Sequence, residues 1–355
     1  MNESVEIPAT PSGPTISLVL GSGGARGYAH VGVIEELLAR GYVIKSIAGS
    51  SMGALVGGVY AAGKLPEYRA WVASLQKLDV LRLVDWSWRG GGLIKGERII
   101  GALKELIGEM DIEQLPIPYT AVAVDIDAER EVWFSRGSLF EAIRASISIP
   151  TVFRPHYYEG RRLVDGGLLN PVPITPTLRD FTDYTVAVDV NAAPDAPVEP
   201  EKPLAHPDSD ATPNLVLRPR DEYHEHLGAE ASLASELQPV PPKPARSLGG
   251  YRRQFAALLE RLLDRRNEKA ATPALGLDGL PEMGMVELFA RSLDTVQATL
   301  TRFKLAAQPP DVLIEIPRDV GAFYEFHRAE DFIEVGRERT RVALDRWQPP
   351  RRNGR

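Results

Sequence analysis

The stretch 18-LVLGSGGARGYAHVGVIEEL-37 decides how the chain is read. Leu18, Val19 and Leu20 end a short strand-like run, glycines interrupt it, and Val31, Val33, Ile34, Leu37 and Leu38 then recur at helical spacing over 28–39. Strand, glycine turn and helix together leave backbone N–H groups unpaired at a helix start, where they favour negative charge. Two partners suit such a turn: the pyrophosphate of a dinucleotide, or an oxyanion created by chemistry at the site. A dinucleotide site also wants an acid about 20 residues on, at the end of the second strand. The second strand, 43-VIKSIAG-49, carries none there and runs into Ser50-Ser51-Met52-Gly53.

Gly49-Ser50-Ser51-Met52-Gly53 is G-x-S-x-G between a strand and a small-residue helix over 52–62. That is the setting of a nucleophile elbow, in which the turn is sharp and the neighbours of the serine must be small. Gly49 and Gly53 meet that need, and Ser51 stands at a helix N-terminus that favours negative charge. The bland reading is a packing turn of small residues. If Ser51 attacks an ester, the tetrahedral oxyanion needs backbone donors that approach closely. Gly23 and Gly24 allow that approach. Arg26 either steadies the loop or the charge, or is a surface arginine without a partner.

A serine nucleophile needs a base. The chain has six histidines. His206, His224 and His226 lie in or beside a proline-rich stretch. His30 reads as a packing or capping residue and His327 as structural, which leaves His156, after "FRP", as the formal candidate. The alternative is Asp165 in 161-RRLVDGGLLNPVP-173, a carboxylate at a strand end followed by Gly166 and Gly167. An ordinary aspartate, with a pKa near 3.9, is a weak base. A dry site would raise that value and improve it. On its own the motif is equally a turn aspartate.

The chain has 355 residues, 44% of them hydrophobic, and a net charge of −7. Nothing in that balance points to nucleic acid. With no cysteine, disulfides, thiol catalysis and thiolate metal sites are excluded. Residues 1–14 read as a disordered leader without the apolar core of a signal peptide. No apolar run reaches the ~18–20 residues that span a bilayer. The expected location is cytoplasmic, or peripheral on the inner membrane face. Short strands (15-TISLVL-20, 118-PYTAVAVDI-126, 130-REVWFS-135, 184-YTVAVDV-190) alternate with helical patterns, among them 66-PEYRAWVASLQKL-78 and 99-IIGALKELIGEM-110. That alternation predicts an α/β sandwich with a largely parallel sheet.

The composition changes at Ala192, with seven prolines over 194–219 and four more in 239-PVPPKPARS-247. Residues 192–285 read as an insertion, proline-rich and partly disordered and then helical. Within it, 251–269 carries an apolar stripe (Phe255, Leu258, Leu259, Leu262, Leu263) opposite basic Arg252, Arg253, Arg261, Arg265, Arg266 and Lys269. Such a helix is either packed on the core or lies on a membrane. Val286, Phe289, Leu293, Val296, Leu300 and Phe303 form a second stripe, expected to be core packing, with a homodimer seam as the lesser option. A strand, 312-VLIEI-316, and a last helix over 328–347 follow, and 346–355 reads as a disordered tail.

In order, "GSGGARG", "GSSMG", "SISIP" and "DGG" resemble the patatin-like phospholipase family, including the esterase domain of neuropathy target esterase. The resemblance covers 15–192 and returns over 285–345, where "PPDVLIEI" and "FHRAEDFIEVGRE" also fit, so 15–345 is expected to be one domain carrying the insertion. It implies a three-layer α/β/α fold and a Ser–Asp dyad without catalytic histidine. Ser51 would be the nucleophile, Asp165 the base, and Gly23, Gly24, Ala25 and Arg26 the oxyanion hole. It implies no metal or organic cofactor, and a phospholipid or lysophospholipid substrate. A small-ester hydrolase and a non-catalytic lipid-binding scaffold are the rival readings. One departure stands out: the family often has glycine where this chain has Ser22, with a mild effect expected on loop geometry.

Overall fold

Thr15–Leu20 forms β1, and its side chains divide by parity. Ile16, Leu18 and Leu20 join one apolar cluster and Val19 joins another on the opposite face. Both faces are covered, which is why the strand reads as a continuous apolar run. The computed structural model describes residues 13–85, 92–195 and 285–349. The leader before 13, the tail after 349, the proline-rich stretch and the 251–269 helix lie outside the described residues.

After β1 come α1 (Ala29–Ala39), β2 (Val43–Ser50), α2 (Met52–Ala61), α3 (Leu65–Ser74), α4 (Lys77–Leu83), β3 (Gly92–Ile94) and α5 (Glu97–Ile107). Next are β4 (Tyr119–Asp125), β5 (Arg130–Phe134), α6 (Leu139–Ser146), β6 (Thr151–Phe153), β7 (His156–Tyr158), β8 (Arg161–Asp165) and β9 (Tyr184–Ala192). Beyond the undescribed stretch lie α7 (Met285–Ala307), β10 (Val312–Pro317) and α8 (Ala329–Arg346). The main sheet has eight strands in the order β10-β9-β1-β2-β4-β8-β7, with β5 on β4. Pairing is parallel from β10 through β4, and antiparallel where β5 and β8 meet β4 and where β7 meets β8. β3 and β6 form a separate pair.

Helices cover both faces. The larger cluster packs Ile16, Leu18, Val186, Val188 and Val190 against α1, α2, α6 and α8; on the other face Val19 and Ala187 meet Val172, Ile174 and Leu305 of α7. This is the expected mostly parallel α/β architecture in three layers. α8 lies so close to α1 that a Cβ on Gly336 would sit 2.0 Å from the Ala29 carbonyl oxygen. Trp347, one residue past α8, packs edge-on against Tyr184, inside the stretch expected to be tail.

Two expectations change. The pattern over 66–78 is two helices, because Gln76 and Asp79 form a capping box that starts α4. The stripe on α7 is not uniformly core: Val296 and Phe303 are exposed, whereas Gln297 and Thr301 are buried. The face of α7 that meets the body is therefore centred on polar residues.

Candidate active site

The register of β4 brings the two sequence motifs together. Ser50 pairs with Val122 in parallel fashion, and Asp165 pairs with the next residue, Ala123, in antiparallel fashion. β5 occupies one edge of β4 over 121–125. β2 and β8 must therefore share the other edge, running toward each other and stopping where they meet. The residues at those ends are Ser51 and Asp165. Ser51 Oγ donates a 2.5 Å hydrogen bond to Asp165 Oδ2, across 114 positions of sequence.

Ser51 caps α2 with φ 55° and ψ −123°. That conformation costs a non-glycine residue on the order of 1–3 kcal/mol and persists only where the surroundings enforce it. The enforcement is visible: Ser51 N–H donates to Ser146 Oγ (2.9 Å), and Ser146 Oγ–H donates to the Val122 carbonyl (2.6 Å). A Cβ on Gly53 would lie 2.1 Å from the Leu20 carbonyl oxygen, so only glycine lets α2 start this close to β1. Gly49 and Gly166 are similarly confined, against Ala54 N and the Val122 carbonyl.

Asp165 is equally fixed. Its N–H donates to the Ser148 carbonyl (2.9 Å), and Oδ1 accepts the Gly167 N–H (2.7 Å). Arg144 holds the Ser148 hydroxyl in turn (2.6 Å). The "SISIP" segment at the end of α6 thus grips both residues. Ser146, Ser148 and Arg144 carried no individual signal in the sequence, because their roles are hydrogen bonds made across the fold. Burial raises the Asp165 carboxyl from 3.8 to about 7, against the lowering pull of the Ser51 and Gly167 bonds. The group is poised near neutrality, where a general base works well.

The glycine loop faces this pair. Ser22, Gly23, Gly24, Arg26, Ser51 and Asp165 line one cavity of about 20 Å³, together with Ile149, Phe289, Leu293, Asp294, Gln297 and Phe323. That volume is close to the space one water needs. The N–H groups of Gly21, Ser22 and Ala25 are taken by the carbonyls of Val188, Pro171 and Phe323. No loop or turn carbonyl among the described residues takes the N–H of Gly23 or Gly24. Arg26 is buried and does not stand alone: it donates to Asn191 Oδ1 (2.6 Å) and Asp294 Oδ1 (2.9 Å). Asn191, Asp294 and Gln297 are further site residues that sequence reading passed over, the last two hidden in the apolar pattern of α7.

The described histidines stand elsewhere. His30, fully buried and lowered to about 4 by that burial, donates from Nε2 to the Gly21 carbonyl (2.8 Å) and supports the loop from behind. His156 lies on β7, bonds Glu141 (2.7 Å), and does not line the Ser51 cavity. His327 lies in the turn before α8. His206, His224 and His226 fall outside the described residues.

A parallel α/β sheet with a serine on a strained strand–helix turn, bonded to an aspartate, defines a class. The sequence profile of patatin-like phospholipases matches residues 18–178. An uncharacterized NTE family protein of Mycobacterium tuberculosis is 42% identical over 351 residues, covering 95% of this chain and 93% of the relative; a Mycobacterium bovis protein matches to the same extent. The chain belongs to the NTE family of patatin-like phospholipases. Lysophospholipase NTE1 of Saccharomyces cerevisiae is 30% identical over 202 residues, which is 55% of this chain and 12% of that protein. The crystal structure of VipD from Legionella pneumophila overlaps loosely, with a TM-score of 0.39 at 15% identity over 94% of this chain and 67% of that one. No helix among the described residues is long and apolar enough to cross a membrane.

Proposed function

We propose that the protein is a serine acyl ester hydrolase acting on lipid esters, of phospholipase or lysophospholipase type, with Ser51 as nucleophile and Asp165 as base. The observation that carries this reading is the 2.5 Å bond between Ser51 Oγ and a carboxylate whose burial has raised it to about 7. Asp165 takes the hydroxyl proton as Ser51 Oγ bonds the acyl carbon. The carbonyl oxygen becomes an oxyanion and accepts from the N–H groups of Gly23 and Gly24, helped by the N-terminal end of α2. Ala25 N–H is already committed to Phe323, so it does not count among the donors. The intermediate collapses, the alcohol leaves with the proton from Asp165, and the acyl group stays on Ser51. Water, deprotonated by Asp165, then releases the fatty acid and restores the serine.

The lipid assignment rests on the family, on the lysophospholipase name of the yeast relative, and on the apolar side chains of Ile149, Phe289, Leu293 and Phe323 around the serine. A peripheral contact with a lipid surface through 251–269 belongs to the same proposal, and so does a cytoplasmic setting. The test is hydrolysis of a panel of acyl esters together with labelling by a fluorophosphonate. Ser51→Ala is expected to lose both, and Asp165→Asn to lose turnover, with both variants folded by circular dichroism. Full turnover by Asp165→Asn would sink the dyad; full labelling of Ser51→Ala would sink the nucleophile.

A further inference from the structure

The departure at Ser22 leads to an arrangement that the Ser–Asp pair does not use. Ser22 Oγ donates to Gln297 Oε1 on α7 (3.0 Å). The same oxygen accepts from Asn191 Nδ2 (3.1 Å), which also donates to the Ser22 carbonyl (2.7 Å). Asn191 Oδ1 and Asp294 Oδ1 together receive Arg26. Ser22, Arg26, Asn191 and Gln297 are all buried. Asp294 and Gln297 are three residues apart on α7, so they share one face of the helix. The loop 22–26 is thus held at both ends by one helix, with β9 supplying the bridge through Asn191. Between the two held ends lie Gly23 and Gly24. Glycines do not fix their own conformation, so the direction of their N–H groups depends on what holds Ser22 and Arg26.

We propose that Gln297 and Asp294 are positioning residues for the oxyanion donors, and that seating α7 on the glycine loop completes the active site. The inference rests on the hydrolase reading above and deepens it. Gln297 acts through Ser22, and Asp294 acts through Arg26; neither touches the reacting atoms in the proposed mechanism. Ser22 contributes a hydroxyl that takes part in the latch. The cost of failure follows from geometry: a misdirected donor weakens binding of the oxyanion but leaves ground-state binding nearly intact.

The experiment compares steady-state hydrolysis of a soluble p-nitrophenyl acyl ester by the full chain and by Gln297→Ala, Ser22→Gly, their double variant, Asp294→Ala and Asp294→Asn. Gln297→Ala and Asp294→Ala are expected to lower kcat about ten- to a hundredfold, less than outright loss of a donor, with KM changed by no more than about twofold. The acid limb of the pH–rate profile, which belongs to Asp165, should stay where it is. Asp294→Asn keeps an acceptor for Arg26 and should recover most of the lost rate. The double variant should be no slower than Gln297→Ala alone, because both changes cut the same link. Wild-type kcat in Gln297→Ala, a loss confined to KM, or losses that multiply in the double variant would each overturn the inference. Should Gln297→Ala or Asp294→Ala not fold, Ser22→Gly and Asp294→Asn carry the test: wild-type kcat in Ser22→Gly overturns the latch at Gln297, and loss in Asp294→Asn as deep as in Ser51→Ala overturns positioning through Arg26. If wild type turns over no ester, or Ser51→Ala matches it, the hydrolase reading itself falls. An active wild type with a dead Ser51→Ala isolates failure to the positioning residues.

Discussion

Burial of one carboxyl is expected to govern the pH dependence of the proposed turnover. In the proposed mechanism Asp165 must be ionised to take the Ser51 proton, and its folded value is raised from 3.8 to about 7. The rate is therefore expected to climb about tenfold per pH unit below 7 and to level off above it. The same shift has a stability signature of opposite sense. Between about pH 4 and pH 7 the folded chain keeps a proton that the unfolded chain has released, so this group's contribution to stability falls as pH rises through that window. Asp165→Asn cannot ionise and escapes the loss. Its Tm relative to wild type should rise from pH 4 to pH 7 and then hold constant. A gap that does not change with pH would mean that Asp165 titrates alike in both states.

Among the elements, α7 is the one whose apolar repeat misleads about what its face meets. Its apolar repeat at 286, 289, 293, 296, 300 and 303 suggests a buried stripe, yet Val296 and Phe303 are exposed. Phe289 and Leu293 turn to the Ser51 cavity, and Gln297 is buried among polar partners. Periodicity reports which residues share a face, not what that face meets. Leu293 and Phe289 line the cavity of about 20 Å³ beside Ser51, a volume close to that of one water, so truncating either is expected to widen it. Leu293→Ala should raise the rate of fluorophosphonate labelling several-fold and favour bulkier acyl esters over short ones. Labelling no faster than wild type would show that Leu293 is not the barrier.

On the scale of the molecule, residues beyond 285 are not an appendage. β10 continues the sheet beside β9, α8 packs against α1 with Gly336 at the closest approach, and α7 covers the face opposite the main cluster. Arg26, near the N-terminus, finds its charge partner at Asp294. A chain cut after residue 195 would expose the apolar surfaces of β9 and α1 and take from Arg26 its partners at Asp294, Arg318 and Gly321. Such a fragment is expected to be insoluble or to lack a cooperative thermal transition, although it contains Ser51, Asp165 and all of the matched profile. A soluble fragment with a Tm near that of the whole chain would refute this account of the fold.

Much of the site could be read from local sequence. The strand–glycine–helix stretch at 18–37, the elbow at 49–53 and the carboxylate before Gly166-Gly167 are short motifs whose geometry comes from small residues and adjacent hydrogen bonds, and composition alone excluded thiol chemistry. The residues themselves do not decide which base would serve Ser51: His156 and Asp165 both fit the local sequence, and the family resemblance favours the aspartate. Of these two, the fold brings Asp165 to the serine, because β2 and β8 end against each other on one edge of β4 while β7 carries His156 to Glu141. Nor could the sequence tell that Arg26 is buried, that Ala25 spends its N–H on Phe323, or that Gln297 and Asp294 reach the glycine loop. Those facts are contacts between residues roughly 270 to 300 positions apart. Local propensity carries no term for such distances; only the packing of sheet and helices supplies it.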